Sequence, residues 1–204
     1  MITPITKINL TSALNPRFLG TSLLLAGLIF PSVLSSSVQA VSLSNGRAAF
    51  DHAPRLVRAS TNFQETRVSG TTHQFTIAVP EDAGESLKAV TISQPSNLER
   101  IDYEVNQSKA FAGDLFRKGS SDRIARGTEI PLASIGGPQS ADGEVTIVFD
   151  RPVPPGKAVT VELTSQKNPD WDGVYLFGIT AYPEGEKSPG LFLGYGRLNF
   201  HGPE

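Results

Sequence analysis

Apolar and polar residues alternate along much of this chain. In Ile101-Asp-Tyr103-Glu-Val105 the three apolar side chains share one face and the two carboxylates the other, the pattern of a half-buried strand. Phe75-Thr-Ile77-Ala-Val79, Val145-Thr-Ile147-Val-Phe149 and Val159-Thr-Val161-Glu-Leu163 repeat it. Leu87 to Ser93 and Val174 to Tyr182 add β-branched and aromatic runs, and a last strand is predicted over Leu191 to Phe200. Between these runs lie Pro80-Glu-Asp-Ala-Gly84, Gln94-Pro-Ser-Asn97, Gly136-Gly-Pro138, Pro152-Val-Pro-Pro-Gly156 and Asp172-Gly173. Each supplies a fixed φ or a tolerated positive φ where the chain must reverse. About seven short strands punctuated in this way predict a mainly β chain, an antiparallel immunoglobulin-like β-sandwich; a barrel is the alternative that the pattern leaves open. One short helix is predicted over Ser108 to Lys118. Ser108 can cap its start, Phe111 and Leu115 have helical spacing, and Gly119 can close its end.

The first forty residues follow a different rule. Lys7 and Arg17 precede the apolar stretch from Leu19 to Phe30, and a small, polar run ends in Val38-Gln39-Ala40. Charge, apolar core and small residues in that order read as a secretory signal cleaved after Ala40. The apolar core is roughly a dozen residues and contains Gly, Thr and Ser, against the about 20 apolar residues that a permanent span needs. The division is therefore 1–40, a cleavable signal peptide, and 41–204, a single domain, with no permanent anchor after cleavage. With no cysteine in the chain, neither a lipid-modified cysteine nor a disulfide is open to it. The expected address is extracytoplasmic: periplasm or secreted, the thylakoid lumen included. Cleavage removes two cations and no anion, leaving 16 basic side chains against 20 acidic ones, so nucleic acid is excluded as a natural partner.

Candidate chemistry is sparse. A serine nucleophile needs a base within hydrogen-bond reach and often an exposed elbow, yet there is no G-x-S-x-G, and His52, His73 and His201 are scattered. Asn168-Pro-Asp170-Trp-Asp172-Gly173 begins like a calcium loop, with oxygen ligands at alternate positions before a glycine. Its twelfth position is Ile179 where a bidentate Glu is required, and a hairpin connection explains the same residues. Asn168, Asp170 and Asp172, with His52 and His73, are the metal candidates. Gly194-Tyr-Gly196-Arg197 lacks the third glycine and helix of a dinucleotide site and reads as a bulge or a close approach of backbones. Glu81-Asp82 and Glu184/Glu186 read as solvated turn charges. Trp171, at a loop tip ahead of Tyr175, Phe177 and Tyr182, can anchor a partner or fold back as a lid. Trp171 and Tyr175 are the candidates for partner contact, the partner being an envelope protein or a glycan.

The stretch Phe149-Asp-Arg-Pro-Val-Pro-Pro-Gly-Lys-Ala-Val-Thr-Val, then Lys167-Asn-Pro, Gly173-Val-Tyr-Leu-Phe-Gly-Ile-Thr-Ala-Tyr-Pro-Glu-Gly and Leu193-Gly-Tyr-Gly-Arg, resembles a cyanobacterial family of exported proteins catalogued as a domain of unknown function. The resemblance extends back through Phe50-Asp-His-Ala-Pro-Arg-Leu and Phe75 to Gln107. It implies export and a single domain and brings no catalytic residue or cofactor. More distantly, Phe75-Thr-Ile-Ala-Val-Pro and Val90-Thr-Ile-Ser-Gln-Pro resemble secreted bacterial β-sandwich proteins that bind copper through a histidine at the mature N-terminus. Here Val41 stands at that position. The expectation is a non-enzymatic interaction or structural module of the cell envelope, with an extracytoplasmic metal- or small-ligand-binding protein as the alternative.

Overall fold

β-branched and aromatic residues at every second position fit a pleated surface buried on one side, and they organise this chain. A computed structural model describes residues 48–95, 97–114, 127–136, 143–185 and 188–203. Its strands are β1 (Arg55–Thr61), β2 (Thr72–Ala78), β3 (Leu87–Ser93), β4 (Lys109–Ala112), β5 (Leu132–Ile135), β6 (Glu144–Val153), β7 (Ala158–Thr164), β8 (Gly173–Pro183) and β9 (Leu191–Phe200). They form a four-stranded sheet in the order β1-β2-β7-β4 and a five-stranded sheet in the order β5-β6-β3-β8-β9. Every ladder is antiparallel. With β1, β2, β3, β4, β7, β8 and β9 taken as strands A to G, the sheets read A-B-E-D and C-F-G, the immunoglobulin arrangement. The hairpin β5–β6 extends the second sheet beyond β3.

Between the sheets lie Phe75 and Ile77 of β2, Val159, Val161 and Leu163 of β7, and, from the other side, Val90, Ile92, Ile147, Phe149, Phe177, Ile179, Leu198 and Phe200. Phe75 meets Phe177 across the gap with ring centroids 5.4 Å apart. The sheets approach each other at both edges through isolated bridges rather than a continuous ladder, so the architecture is a sandwich and not a barrel. At one edge Glu65 pairs with His201; at the other Phe111 pairs with Glu129 before the chain crosses to β5.

Two expected elements are corrected. Residues Lys109–Ala112 of the expected 108–118 helix form strand β4, and positions 115–118 lie outside the described residues. Ala110 and Phe111 are both buried, and β4 is paired on both sides. β7 lies along one edge, while the Ala112 N–H reaches the Thr128 carbonyl and the Ile130 N–H the Ala110 carbonyl along the other. These long-range partners override the local spacing. The only helical turn among the described residues is a three-residue 3-10 turn, Val105–Gln107. The run Ile101–Val105 keeps its alternation of burial but is not a strand. The Gln94 side chain takes both the N–H and the carbonyl of Ile101, at 2.9 and 2.8 Å, and Tyr103 alone forms a bridge, to Ser165.

Gly196 marks the close approach anticipated from its sequence. A Cβ there would lie 2.8 Å from the Ala59 Cβ and 3.4 Å from the Phe75 ring, so the edge of the four-stranded sheet sits directly on β9. Gly196→Ala is expected to destabilise the domain by about 1–3 kcal/mol through overpacking. Gly202→Ala, where nothing lies within 4 Å, is expected to stay within about 0.5 kcal/mol. Urea unfolding of both variants checks the contrast.

Candidate functional site

The alternation of β2 sends His73 to the same face as Phe75 and Ile77, into the sandwich. There it has no exposed surface and lies against the rings of Tyr103, Phe177 and Phe200, at centroid distances of 5.6, 6.1 and 5.6 Å. A buried imidazole needs partners for both nitrogens. Nε2 lies 3.1 Å from Asn168 Oδ1 and Nδ1 lies 2.9 Å from the Tyr103 hydroxyl. The Asn168 amide is oriented by its other end, where Nδ2 donates to the carbonyls of Phe63 and Glu65 at 3.1 and 2.8 Å. Oδ1 must therefore face inward as an acceptor, taking the Nε2–H of His73 and the Thr71 hydroxyl at 2.5 Å. The tautomer follows: Nε2 carries the proton and Nδ1 accepts from Tyr103. Thr71 and Ser165 complete the cluster with hydroxyls 2.6 Å apart.

Burial disfavours the imidazolium and, against the smaller opposing pull of the Asn168 bond, lowers the His73 pKa to about 4. Burial likewise pushes the Tyr103 hydroxyl well above its ordinary range, so it remains a donor. Thr71, His73, Ser165 and Asn168 are inaccessible to solvent, so this serine, histidine and asparagine do not meet a substrate. The cluster instead fastens the 63–70 loop to the 165–169 segment. Asn168 N–H bonds the Val68 carbonyl and Arg67 N–H the Pro169 carbonyl, at 2.8 and 3.1 Å.

The metal candidates are not brought together. Asn168 points into the core. Asp170 pairs with Lys167 at 2.8 Å and Arg67 at 3.8 Å; the Lys167 hydrogen bond, helped by the charges of Lys167 and Arg67, holds its carboxyl below the usual range against an opposing desolvation. Asp172 is exposed. His52 lies beyond the far end of β2, exposed, with Nδ1 3.0 Å from the Asp82 carbonyl. Among the described residues no group of three or more His, Cys, Asp or Glu side chains could hold a metal ion.

The two partner-contact candidates separate. Trp171 is 61% exposed at the loop before β8, whereas Tyr175 is buried against Phe200 and donates its hydroxyl to the Trp171 carbonyl at 3.1 Å. Tyr175 is therefore a core residue that positions the Trp171 loop and not a contact residue. Alternation accounts for it, since Tyr175 shares the inward face of β8 with Phe177 and Ile179.

The outer faces of the two sheets differ. On the four-stranded sheet, polar side chains satisfy one another: Thr76 with Thr160 at 2.9 Å and Gln74 with Glu162 at 2.8 Å. On the five-stranded sheet, Phe192 and Tyr195 of β9 stand 52% and 54% exposed and packed edge to face, 5.1 Å apart, with Val174 of β8 also exposed. Residues 192 and 195 would fall on opposite faces of a regular strand. A bulge, where Thr180 pairs with Phe192 but Ile179 with Gly194, and the positive φ of Gly194 bring both to the outside. Gly178 lies beneath them; a Cβ there would stand 3.3 Å from the Phe192 ring and 2.7 Å from Ser93 Oγ. These two aromatics were not anticipated from the sequence. Their available signal was Leu191-Phe-Leu-Gly-Tyr195, apolar on both faces of a terminal strand.

The sequence comparison places this sandwich in a family. Residues 47–200 match the family described as "Protein of unknown function (DUF2808)", to which the chain belongs. No curated protein matches it. Among solved structures the chain is similar to BslA, a bacterial hydrophobin, at 11% identity over 75% of this chain and 97% of that one, with a TM-score of 0.39. It is similar to the collagen-binding domain of a Staphylococcus aureus adhesin at 9% identity over 65% and 88%, TM-score 0.32, and to the RrgA Jo.In complex at 12% over 79% and 90%, TM-score 0.39. All three TM-scores lie below 0.5, and the architecture given above rests on the chain's own ladders.

The lowered His73 pKa makes stability depend on pH. Between about 6.5 and 4 the unfolded chain binds a proton that the folded chain does not, so stability falls as pH falls through this window and the loss levels off below 4. The contribution from His73 is a loss of about 2 kcal/mol from pH 7 to pH 5 and about 3 kcal/mol by pH 4. Urea unfolding at these pH values is expected to show it, and His73→Gln to flatten it. Asn168→Ala, which strands the His73 N–H and two carbonyls, is expected to cost about 3 kcal/mol or more at pH 7.

Proposed function

We propose that the chain is exported and acts outside the cytoplasm as a non-enzymatic interaction or structural module of the cell envelope. The observation that carries this reading is the aromatic outer face of the five-stranded sheet, set against the self-satisfied polar face of the other. Phe192 and Tyr195 are aromatics of about 150–250 Å² each and are about half exposed, which leaves roughly 200 Å² of paired aromatic surface to solvent, while Trp171 is exposed separately at the start of β8. Exposed aromatic residues are enriched at contact sites, and Trp and Tyr are favoured where contacts carry binding energy. Nothing in the fold requires them there, since the core is complete without them. The sealed His73 cluster supports a non-enzymatic role. Export is supported by the composition of residues 1–40 and by a family match that begins only at residue 47.

Two measurements test the parts separately. A photo-crosslinking residue at Tyr195 is expected to capture a discrete envelope component, and one at Gln74, on the polar face, is not; equal labelling from both would contradict the contact face. Mass spectrometry of the protein from its native cells is expected to find Val41 as the first residue. A chain retaining residues 1–40 would contradict export by cleavage.

A further inference from the structure

Beside the aromatic patch, the outer face of the five-stranded sheet carries a groove of about 360 Å³. Its floor is Ala89 and Thr91 of β3 with Thr146 and Val148 of β6, one wall is Tyr182 of β8, and Lys88 stands at its margin. That size lies within the range of small-ligand sites. Thr91 and Thr146 face each other across the ladder with hydroxyls 2.7 Å apart, so one O–H is spent between them and the other is not. Thr180 continues this row on β8, opposite Thr91, and leads to Phe192 on β9. Among the described residues the hydroxyls of Thr180 and Tyr182 have no hydrogen-bond partner. Among the described lining residues the one charged group, the Lys88 ammonium, already donates to the Phe149 and Asp150 carbonyls at 2.9 and 3.4 Å.

We infer that this groove, where a row of threonine hydroxyls meets the Tyr182 ring, is a binding site for a neutral glycan chain. This inference rests on the envelope-module reading and names a ligand class for it. A ligand held here must offer hydrogen-bond partners at close intervals, present C–H surface to an aromatic wall and carry no charge for the site to neutralise. A pyranose chain has all three properties. An anionic ligand finds only an ammonium already engaged, and a purely apolar one leaves the threonine hydroxyls unpaired on desolvation. The groove is open to solvent rather than enclosed, which leaves room for the rest of a polymer outside it where a closed pocket would admit only a monomer.

Isothermal titration of the purified chain with cellohexaose and with N-acetylchitohexaose is the test, with hexagalacturonate as the charged control. At least one neutral hexasaccharide is expected to bind with a dissociation constant on the order of 1 mM or tighter. Thr146→Val, which keeps the shape and removes a hydroxyl, and Tyr182→Ala are each expected to weaken it at least about fivefold. The Gln74→Ala variant, on the outer face of the other sheet, is expected to bind as the parent does. Absence of binding by both neutral probes, tighter binding of hexagalacturonate, or unchanged affinity in Thr146→Val and Tyr182→Ala would each overturn the assignment. Capture of an envelope component at Tyr195 alongside such a result would leave the module reading standing; failure of capture with glycan binding intact would do the reverse.

Discussion

One side-chain amide organises one end of this sandwich. Asn168 is wholly buried, and its two ends cannot be exchanged: Nδ2 supplies the carbonyls of Phe63 and Glu65, and Oδ1 receives His73 and Thr71. That polarity fixes the imidazole tautomer, and the tautomer in turn needs the Tyr103 hydroxyl as donor. Removing one member leaves the others buried without partners, which costs more than the bond itself contributes. The 63–70 loop, the end of β7 and the segment leading into β8 are therefore held as a unit. From this end β8 starts, and with it the Tyr175 hydroxyl that supports the exposed Trp171.

This arrangement encloses the polar groups of the interior, so the proposed role falls to the surface. A serine and a histidine are enclosed, and the half-buried Tyr103 is satisfied against the histidine. The two outer faces then divide. One uses its threonine, glutamine and glutamate pairs on itself; the other displays aromatic rings beside a row of hydroxyls with capacity to spare. The asymmetry depends on one bulge in β9, which turns two aromatics to the same side at a glycine with positive φ.

Strands buried on one face were legible in the sequence. β3 and β9 run over the stretches from Leu87 to Ser93 and from Leu191 to Phe200 that their β-branched and aromatic content marks, and the sandwich follows from the series. Where partners are remote, periodicity misled. The Phe111 and Leu115 spacing suited a helix, but backbone partners in β7 and at Thr128 and Ile130 make Lys109–Ala112 a strand. Ile101–Val105 alternates as a strand should, yet a glutamine side chain occupies the N–H and carbonyl of Ile101, and only Tyr103 forms a bridge. β1 was not anticipated because Arg-Leu-Val-Arg-Ala-Ser-Thr is an edge strand with a bulge and has no clean alternation. Of the candidate site, Trp171 was visible as a loop aromatic. The joint exposure of Phe192 and Tyr195 was not, because their three-residue separation denotes opposite faces unless the bulge is known.

The central claim is that the interior is sealed around a neutral His73, so that the protein acts through its outer faces. Nitrogen-detected NMR of the histidine rings across a pH titration tests it most directly. The expected result is a His73 ring that stays neutral, protonated at Nε2, down to about pH 4, while the exposed His52 serves as an internal comparison. A His73 ring that titrated near the ordinary histidine value of about 6.5 would show water reaching the cluster, and one that carried its proton on Nδ1 would show a different hydrogen-bond network; either would contradict the account.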